Sequence, residues 1–227
     1  MRTETIHNLT LINTDCMEIM KSMPDNWADL AVCDPPYGIG AAEDDRFGVK
    51  YNGAALERTA YEKKEWDKNV PDEKYFNELF RVSKNQIIWG VNYYTDARLS
   101  GGRIYWDKVT PDNYSNSSGE LAYKSKGYGI DCFKSQWHGM LQSNMKNKEQ
   151  RIHPTQKPVK LYDWLLTNYA EKGQKILDTH GGSFSSAIAA HYFGCEYVGI
   201  EIDEDYFEAG VERVKEQTKQ IDLFRQG

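Results

Sequence analysis

Ala28-Asp29-Leu30-Ala31-Val32-Cys33-Asp34-Pro35-Pro36-Tyr37 joins an apolar run to two successive prolines. Its first six residues form a short apolar run that predicts a buried strand. The two prolines end that strand abruptly, because neither can donate a hydrogen bond to a neighbouring strand. A carboxylate and an aromatic ring are therefore fixed at the carboxyl end of a strand, where open α/β sheets bind their ligands.

The residues that follow this strand suit a flat ring that carries an amino group. The Asp34 carboxylate and the Pro35 carbonyl can each accept a hydrogen bond from such an amine, and Tyr37 can stack on the ring. An ordinary strand-terminating turn with an aspartate cap explains four residues equally well. The rest of the chain separates the two interpretations.

Three later segments extend the pattern: Arg151-Ile152-His153-Pro154-Thr155-Gln156-Lys157-Pro158, Lys175-Ile176-Leu177-Asp178-Thr179-His180-Gly181-Gly182-Ser183 and Tyr197-Val198-Gly199-Ile200-Glu201-Ile202-Asp203. Together with the first stretch they resemble the S-adenosylmethionine-dependent DNA amino-methyltransferases, in the permuted order that places Asp-Pro-Pro-Tyr before the cofactor motif. The resemblance extends from about Leu9 to Val214. It implies S-adenosyl-L-methionine as the methyl donor, S-adenosyl-L-homocysteine as the product, DNA as the substrate and no metal.

The order of elements predicts an α/β fold. Apolar runs predict strands at residues 8–13, 28–33, 86–91, 103–106, 119–123, 174–177 and 196–202, and helices near 17–20 and at 71–83, 158–170, 184–193 and 204–219. With the resemblance, this predicts a single domain over residues 1–227. We expect a Rossmann-like, doubly wound, mostly parallel sheet with helices on both faces and a permuted motif order.

The resemblance assigns the reaction to Asp34, Pro35, Pro36 and Tyr37. Hydrogen bonds to the carboxylate and the Pro35 carbonyl would localise the amine lone pair, and Tyr37 would stack on a base flipped out of the duplex. The expected reaction is direct in-line methyl transfer to the N6 amino group of adenine. Cytosine N4 stays open, because the same geometry serves any exocyclic amine, although Asp at the first position resembles the adenine enzymes.

A glycine turn is expected to hold the cofactor. The strand ending at Asp178 turns into a helix whose N-terminus presents unpaired N–H groups, and glycine lets the backbone approach a ligand. The resemblance assigns cofactor contacts to Asp178, Thr179, His180, Gly181, Gly182 and Ser183. The usual form is Asp-Pro-Phe-x-Gly-x-Gly, and this chain departs from it, with Thr179 for proline, His180 for phenylalanine and Phe184 for the last glycine.

Further cofactor contacts are expected beyond this turn. Glu201, at the end of the next strand, is placed to accept the ribose hydroxyls, with Ile202 beside it, while Asp203 is assigned to a helix cap. Lys157 is expected to neutralise the cofactor carboxylate or to be solvated.

The segment before the first helix has two open roles. Asp15 and Cys16 match the element that receives the cofactor adenine in the resembled family. A helix N-cap explains Asp15 equally well, and the two oxygens of its carboxylate allow both roles at once.

Charge gives a mixed indication of nucleic-acid binding. The net charge of −6 over 227 residues argues against a protein that coats nucleic acid nonspecifically. Residues 121–160 nevertheless hold eight basic and two acidic side chains, a balance of +6, interleaved with Tyr123, Tyr128, Phe133 and Trp137. This stretch is either a DNA-contacting face or a lysine-rich solvated loop. The predicted loop regions 38–70 and 107–150 are the candidates for DNA contact.

Composition narrows the remaining possibilities. Four scattered cysteines without a Cys-x-x-Cys pair indicate free thiols in a reducing cytosol and no metal site. No apolar run reaches the length of a membrane span, so we expect a cytoplasmic protein of a bacterial or phage-infected cell. A homodimer stays open. So does a degenerate protein that binds cofactor or DNA without transfer, because the glycine turn is altered.

Overall fold

The computed structural model describes residues 1–40, 49–52, 55–58, 67–111, 117–138, 141–144, 146 and 148–219. The strands are β1 (Arg2–Ile6), β2 (Leu9–Asn13), β3 (Leu30–Cys33), β4 (Val49–Asn52), β5 (Ala55–Arg58), β6 (Gln86–Trp89), β7 (Gly102–Asp107), β8 (Gly119–Lys124), β9 (Ile130–Lys134), β10 (Trp137–His138), β11 (Leu141–Gln142), β12 (Lys175–Asp178) and β13 (Glu196–Glu201). The helices are α1 (Cys16–Ser22), α2 (Glu73–Val82), α3 (Val159–Tyr169), α4 (Ser185–Phe193) and α5 (Glu204–Thr218).

The main sheet has nine strands in the order β1-β2-β13-β12-β3-β6-β8-β7-β9. The strands from β2 to β6 in this order run parallel, whereas β1 and β8 are antiparallel to their neighbours. This confirms the predicted mostly parallel sheet. The two motifs of the permuted order are neighbours in the folded chain. Strand β3, which precedes Asp34, lies directly beside β12, which leads into the glycine turn.

Two apolar clusters cover the two faces of the sheet. Alternate residues of a strand point to opposite faces. Val32 and Ile87 therefore belong to the cluster that packs under α3, α4 and α5, whereas Ala31 and Ile88 belong to the cluster under α1 and α2. Helices on both faces were predicted from the alternating pattern of strands and helices, and the structure confirms them.

The structure also contains strands that the sequence pattern did not predict. The edge strands β1 and β9 are mostly exposed, so they lack the apolar run that marks a buried strand. The antiparallel pairs β4–β5 and β10–β11 lie outside the main sheet. Residues 41–48, 53–54 and 59–66 of the predicted loop at 38–70 lie outside the described residues, as do 112–116, 139–140, 145 and 147 of the region 107–150.

The basic, aromatic stretch is less exposed than its composition suggests. Tyr123, Phe133 and Trp137 are buried: Tyr123 belongs to the apolar cluster under α1 and α2, and Phe133 and Trp137 belong to the cluster under α3, α4 and α5. Lys124 is buried as well and pairs with Asp131. The interpretation of these three aromatic residues as part of a nucleic-acid face is therefore wrong.

The exposed part of this stretch is divided between the two edges of the sheet. Strand β8 is antiparallel to β6, so Ala122 lies opposite Trp89 and Lys124 lies opposite Ile87. The turn after Lys124, with the exposed Lys126, consequently lies at the amino ends of the parallel strands. Asp34 follows the carboxyl end of β3, at the opposite edge.

The four cysteines carry free thiols. Among the described residues, no helix is both long and apolar enough to cross a membrane. The described part of the chain likewise contains no group of three or more His, Cys, Asp or Glu side chains that could hold a metal ion.

Candidate active site

The carboxyl edge of the sheet gathers predicted site residues from three neighbouring strands. Asp34 follows the end of β3, Asp178 ends β12 and Glu201 ends β13, with β12 between the other two. A cavity of about 250 Å³ opens at this edge. The topology therefore brings together motifs that are far apart in the sequence.

The cavity is lined by both halves of the predicted site. Its wall consists of Asp34, Pro36, His153, Thr155, Gln156, Lys157, Tyr162, His180, Gly181, Gly182, Ser183, Ser185, Glu201, Ile202 and Tyr206. The predicted catalytic aspartate and the glycine turn thus border the same space. The predicted residues that do not line it are Asp15, Cys16, Pro35, Tyr37, Asp178 and Thr179.

Asp34 is the centre of a network of charged groups. Its Oδ2 lies 2.5 Å from Nζ of Lys157, and its Oδ1 accepts a 2.6 Å hydrogen bond from the Tyr37 hydroxyl. Nζ of Lys157 also lies 3.0 Å from Oε2 of Glu120, whose Oε1 lies 2.5 Å from Nζ of Lys108. Two carboxylates and two ammonium groups therefore alternate through the network.

Burial and pairing set the protonation of these groups in opposite ways. Removal from water raises the pKa of the Asp34 carboxyl, which Lys157 opposes and Glu120 reinforces. Burial alone would lower the pKa of the Lys157 ammonium, but Asp34 and Glu120 outweigh burial and raise it. Burial also disfavours the Glu120 carboxylate, but Lys157 and Lys108 outweigh it and hold its pKa well below the usual range. Lys157 therefore stays charged beside Asp34.

Lys157 is placed differently from its predicted role. Its side chain is 3% exposed, and both of its carboxylate partners belong to the protein. The geometry favours a counter-ion for Asp34 over the predicted contact with a cofactor carboxylate. The alternative of a solvated lysine is wrong.

Tyr37 packs closely against the end of the neighbouring strand. A Cβ on Gly90, which has φ +76° and directly follows β6, would lie 2.3 Å from the Tyr37 ring. The Tyr37 ring is parallel to that of Tyr93, with 5.0 Å between centroids and 14° between planes. Glycine at position 90 therefore allows Tyr37 to reach Asp34, and stacking of Tyr37 on a ligand stays a prediction.

Two residues outside the predicted set hold the backbone after Asp34. The Tyr94 hydroxyl donates a 2.9 Å hydrogen bond to the Pro35 carbonyl. The buried Asp67 carboxylate accepts hydrogen bonds from the N–H groups of Tyr37 and Gly38, at 2.7 and 3.0 Å. A carbonyl oxygen has a second lone pair, so the contact with Tyr94 leaves Pro35 able to accept from a ligand.

Glu201 ties the glycine turn to the end of β13. Its Oε2 accepts a 2.7 Å hydrogen bond from Gly182 N–H, and its Oε1 accepts one of 2.8 Å from Asp203 N–H. Burial raises the pKa of Glu201 to about 7. Asp203 caps α5 by accepting from the N–H groups of Asp205 and Tyr206, as the sequence predicted.

Phe184 occupies the position of the family's last glycine and keeps a left-handed backbone, with φ 52° and ψ 35°. Its ring is fully buried and meets Phe207 edge-on, with 6.0 Å between centroids. A Cβ on Gly181 or on Gly210 would lie 2.1 or 2.6 Å from this ring. Two glycines thus provide the space that the ring fills, and burial of the ring offsets the unfavourable backbone conformation.

Asp178 and Thr179 lie behind the glycine turn. The Asp178 carboxylate accepts hydrogen bonds of 2.6 Å from the Ser186 hydroxyl and 3.0 Å from His180 N–H, and burial raises its pKa to about 6. The Thr179 hydroxyl is 2.7 Å from that of Tyr75. Their side chains hold the turn in place, and the geometry does not favour their predicted contact with a cofactor.

His180 lines the cavity as a neutral ring. Burial lowers its pKa to about 4, and the ring packs edge-on against Tyr75, with 5.4 Å between centroids. A neutral, packed imidazole can take the place of the phenylalanine ring that the usual form of this turn carries.

Asp15 is the N-cap of α1, where its side chain accepts a 2.8 Å hydrogen bond from Met17 N–H. The cap interpretation is therefore confirmed. Contact of Asp15 or Cys16 with an adenine stays a prediction, since neither residue lines the cavity.

Sequence reasoning missed Lys108, Glu120, Tyr94 and Asp67. The sequence contains a signal for Tyr94. This residue comes four positions after Gly90 at the end of the buried strand β6, just as Tyr37 comes after two prolines at the end of β3. Glu120, the second residue of β8, lies in no recognisable motif, and its partner Lys157 comes from the segment before α3. Only the placement of β8 in the sheet brings these two side chains together.

This chain is similar to proteins described as methylases. The family model described as "DNA methylase", for the N6 and N4 class, matches residues 50–212. A relative named "Putative methylase YubD" from Escherichia coli (strain K12) is 28% identical over 216 residues, which is 89% of this chain and 88% of the relative.

Two solved structures share the fold. The M1.HpyAVI–SAM complex has a TM-score of 0.55 at 15% identity, covering 90% of this chain and 99% of that one. The PvuII cytosine-N4-specific DNA methyltransferase has a TM-score of 0.59 at 14% identity, covering 94% and 92%.

The left-handed backbone of Phe184 predicts that its replacement by glycine is less destabilising than its replacement by alanine, the reverse of the usual order. Phe184→Ala should lower the free energy of unfolding by about 3–5 kcal/mol, through loss of the buried ring. Phe184→Gly loses the same ring but relieves the left-handed conformation, so it should be more stable than the alanine variant by roughly 1 kcal/mol. Urea unfolding of both variants measures this difference. A glycine variant less stable than the alanine variant would contradict the assignment.

Proposed function

Since the chain belongs to the N6/N4 family of DNA methylases, we propose that it transfers a methyl group from S-adenosylmethionine to the N6 amino group of adenine in DNA. One observation carries the proposal: Asp34 and Pro36 border the same cavity as the glycine turn and Glu201. The carboxylate that can accept hydrogen bonds from an amine therefore borders the same cavity as a sheet edge of the kind that binds nucleotides.

The cavity residues suit S-adenosylmethionine. Glu201 keeps acceptor capacity for ribose hydroxyls beyond its two backbone hydrogen bonds, while Ile202 and Tyr206 provide apolar surface beside it. The hydroxyl groups of Ser183 and Thr155 suit the polar end of the methionine part. The M1.HpyAVI structure of similar fold was solved with this cofactor, which supports the choice.

Catalysis would consist mainly of positioning and electrostatics. S-Adenosylmethionine supplies an electrophilic methyl group when it is bound. The Asp34 carboxylate and the Pro35 carbonyl would accept hydrogen bonds from the target amine, which favours a tetrahedral nitrogen with a localised lone pair. Asp34 is also the carboxylate placed to receive the proton that the amine loses.

A covalent enzyme intermediate is not needed for this chemistry. Cys33, the residue next to Asp34, is fully buried, and burial raises the pKa of its thiol to about 12. The thiol therefore stays protonated at neutral pH and is a poor nucleophile. This supports direct transfer to the nitrogen.

Cytosine N4 is the second candidate. The PvuII enzyme, which shares the fold, is cytosine-N4-specific. Asp34 as the first residue of the Asp-Pro-Pro-Tyr element supports adenine, since cytosine enzymes of the resembled family more often carry serine there. Both bases present an exocyclic amine, so the product has to be identified directly.

The proposed reaction is tested by digesting methylated DNA to nucleosides and identifying them by mass spectrometry. We expect N6-methyladenine from the wild-type protein. Asp34→Ala should lower kcat by at least about 100-fold, because it removes the amine's main acceptor, with cofactor affinity nearly unchanged. Asp131→Ala, at the opposite edge of the sheet, is the control and should retain activity. N4-methylcytosine as the product, or undiminished turnover by Asp34→Ala, would contradict the proposal.

The raised pKa of Glu201, about 7, predicts pH-dependent cofactor binding. A carboxylate accepts from ribose hydroxyls better than a carboxylic acid does, so affinity should rise with pH through this pKa, by about tenfold between pH 6 and 8. His180, with a pKa lowered to about 4 by burial, does not titrate in this range. Calorimetric titration with S-adenosylmethionine measures the effect. Glu201→Gln should bind weakly at all these pH values, and an unchanged pH dependence in that variant would refute the assignment.

DNA binding should depend on the carboxyl edge of the sheet. Lys146 and Lys148 are exposed and precede Glu149, whose carboxylate binds the first N–H of α3 beside the cavity segment 153–157. Replacing both with glutamine should reduce the slope of log affinity against log salt by roughly 2, as two phosphate contacts are lost. Lys126→Gln is the matched control at the opposite edge and should leave the slope unchanged. Equal reductions of the slope by the substitutions at the two edges would contradict the assignment of DNA binding to the carboxyl edge.

A further inference from the structure

We propose that Glu120 and Lys108 are positioning residues for methyl transfer, which hold Lys157 against Asp34 and balance the charge of the site. This inference rests on the proposed function and extends it to two residues that lie outside every predicted motif. Neither residue lines the cavity, so they would act on the reaction only through Lys157, Tyr37 and Asp34.

The geometry makes Glu120 a second anchor for the ammonium. Nζ of Lys157 lies 2.5 Å from Asp34 Oδ2, 3.0 Å from Glu120 Oε2 and 3.0 Å from the Tyr37 hydroxyl. The Tyr37 hydroxyl is itself 3.3 Å from Glu120 Oε2. Glu120 therefore contacts both groups that touch the Asp34 carboxylate.

Lys108 keeps this arrangement neutral. Its Nζ lies 2.5 Å from Glu120 Oε1 and 5.0 Å from the centre of the Trp106 ring. With Lys108 present, two positive and two negative charges are grouped in a partly buried space; without it, the group carries one net negative charge. An unbalanced charge beside Asp34 changes how readily that carboxylate ionises.

The strand order explains why these residues meet. Strand β8 begins with Gly119 and Glu120 at the carboxyl edge, because it is antiparallel to β6. Lys108 follows the end of β7, which pairs with β8 and reaches the same edge. The antiparallel insertion of β8 into the sheet thus supplies a carboxylate beside the catalytic strand.

Two substitutions in the same ion pair give opposite predictions. Glu120→Gln removes a negative charge, so the pKa of Asp34 should fall and the acidic limb of the kcat–pH profile should move to lower pH. Lys108→Met removes a positive charge, so the acidic limb should move to higher pH. Shifts of about one pH unit are expected for charges at these distances, with the double variant close to the wild type. The other titratable groups around Asp34 are unchanged in all variants: Tyr37, Tyr94, Tyr162, Asp67, Asp178 and Lys157.

The rate should change together with the profile. Glu120→Gln should lower kcat by roughly ten- to hundredfold, because Lys157 and Tyr37 lose a shared anchor, with little change in the KM for S-adenosylmethionine. Lys124→Met is the matched control, since it breaks the ion pair with Asp131 at the other end of β8. It should change stability without moving the acidic limb.

The titration of Asp34 is also measured without turnover, from the ¹³C signal of its carboxyl group, assigned with Asp34→Asn. Opposite shifts in the two single variants, in this titration and in the profile, support the proposal. Shifts in the same direction, or none, overturn it. If the titration shifts as expected but the wild-type protein methylates no DNA, the charge-balancing role stands while the proposed function and the effect on transfer fail. If Glu120→Gln does not fold, Lys108→Met alone still tests the proposal: a shift of the Asp34 titration to higher pH supports it, and a shift to lower pH, or none, overturns it.

Discussion

A buried carboxylate requires a counter-charge, and the contact between Asp34 and Lys157 meets this requirement at the candidate active site. Removal from water raises the pKa of Asp34, and an unpaired carboxylate at this position would tend to take up a proton. The Lys157 ammonium, 2.5 Å away, favours the ionised form that can accept hydrogen bonds from an amine. Other contacts in the site keep the Asp34 carboxylate and the Lys157 ammonium together. They include the close packing of Tyr37 on Gly90 and the pairing of Glu120 with Lys108.

The sheet order makes this contact possible. Asp34 comes from an early strand, whereas Lys157 and the glycine turn come from the second half of the chain. Strands β3 and β12 are parallel neighbours, so their carboxyl ends open onto the same cavity. Lys157 lies in the segment before α3, and the neighbouring Gln156 holds this segment in place. The side-chain oxygen of Gln156 accepts a hydrogen bond from Ile152 N–H, and its backbone carbonyl accepts one from the indole N–H of Trp137. A permuted motif order in sequence therefore becomes a contiguous site in space.

The sequence predicted the parts of the fold that have a local cause. Residue types and their spacing are enough to predict the buried parallel strands, the end of β3 before the two prolines, the glycine turn and the helix cap at Asp203. The edge strands β1 and β9 were missed because exposed strands have no apolar run. The role of Lys157 and the inward orientation of Tyr123 and Phe133 depend on pairing between distant segments, which composition cannot reveal. For the same reason, Glu120 could be found only after β8 was placed in the sheet.

If the Asp34 carboxylate and the methyl donor share one cavity, an unreactive analogue of S-adenosylmethionine, carrying an amine in place of the methylsulfonium group, should bind there. In a crystal structure of this complex we expect the ribose hydroxyls to be bound to Glu201 and the amine to be directed toward Asp34. An analogue bound elsewhere, or one whose amine points away from Asp34, would contradict this arrangement.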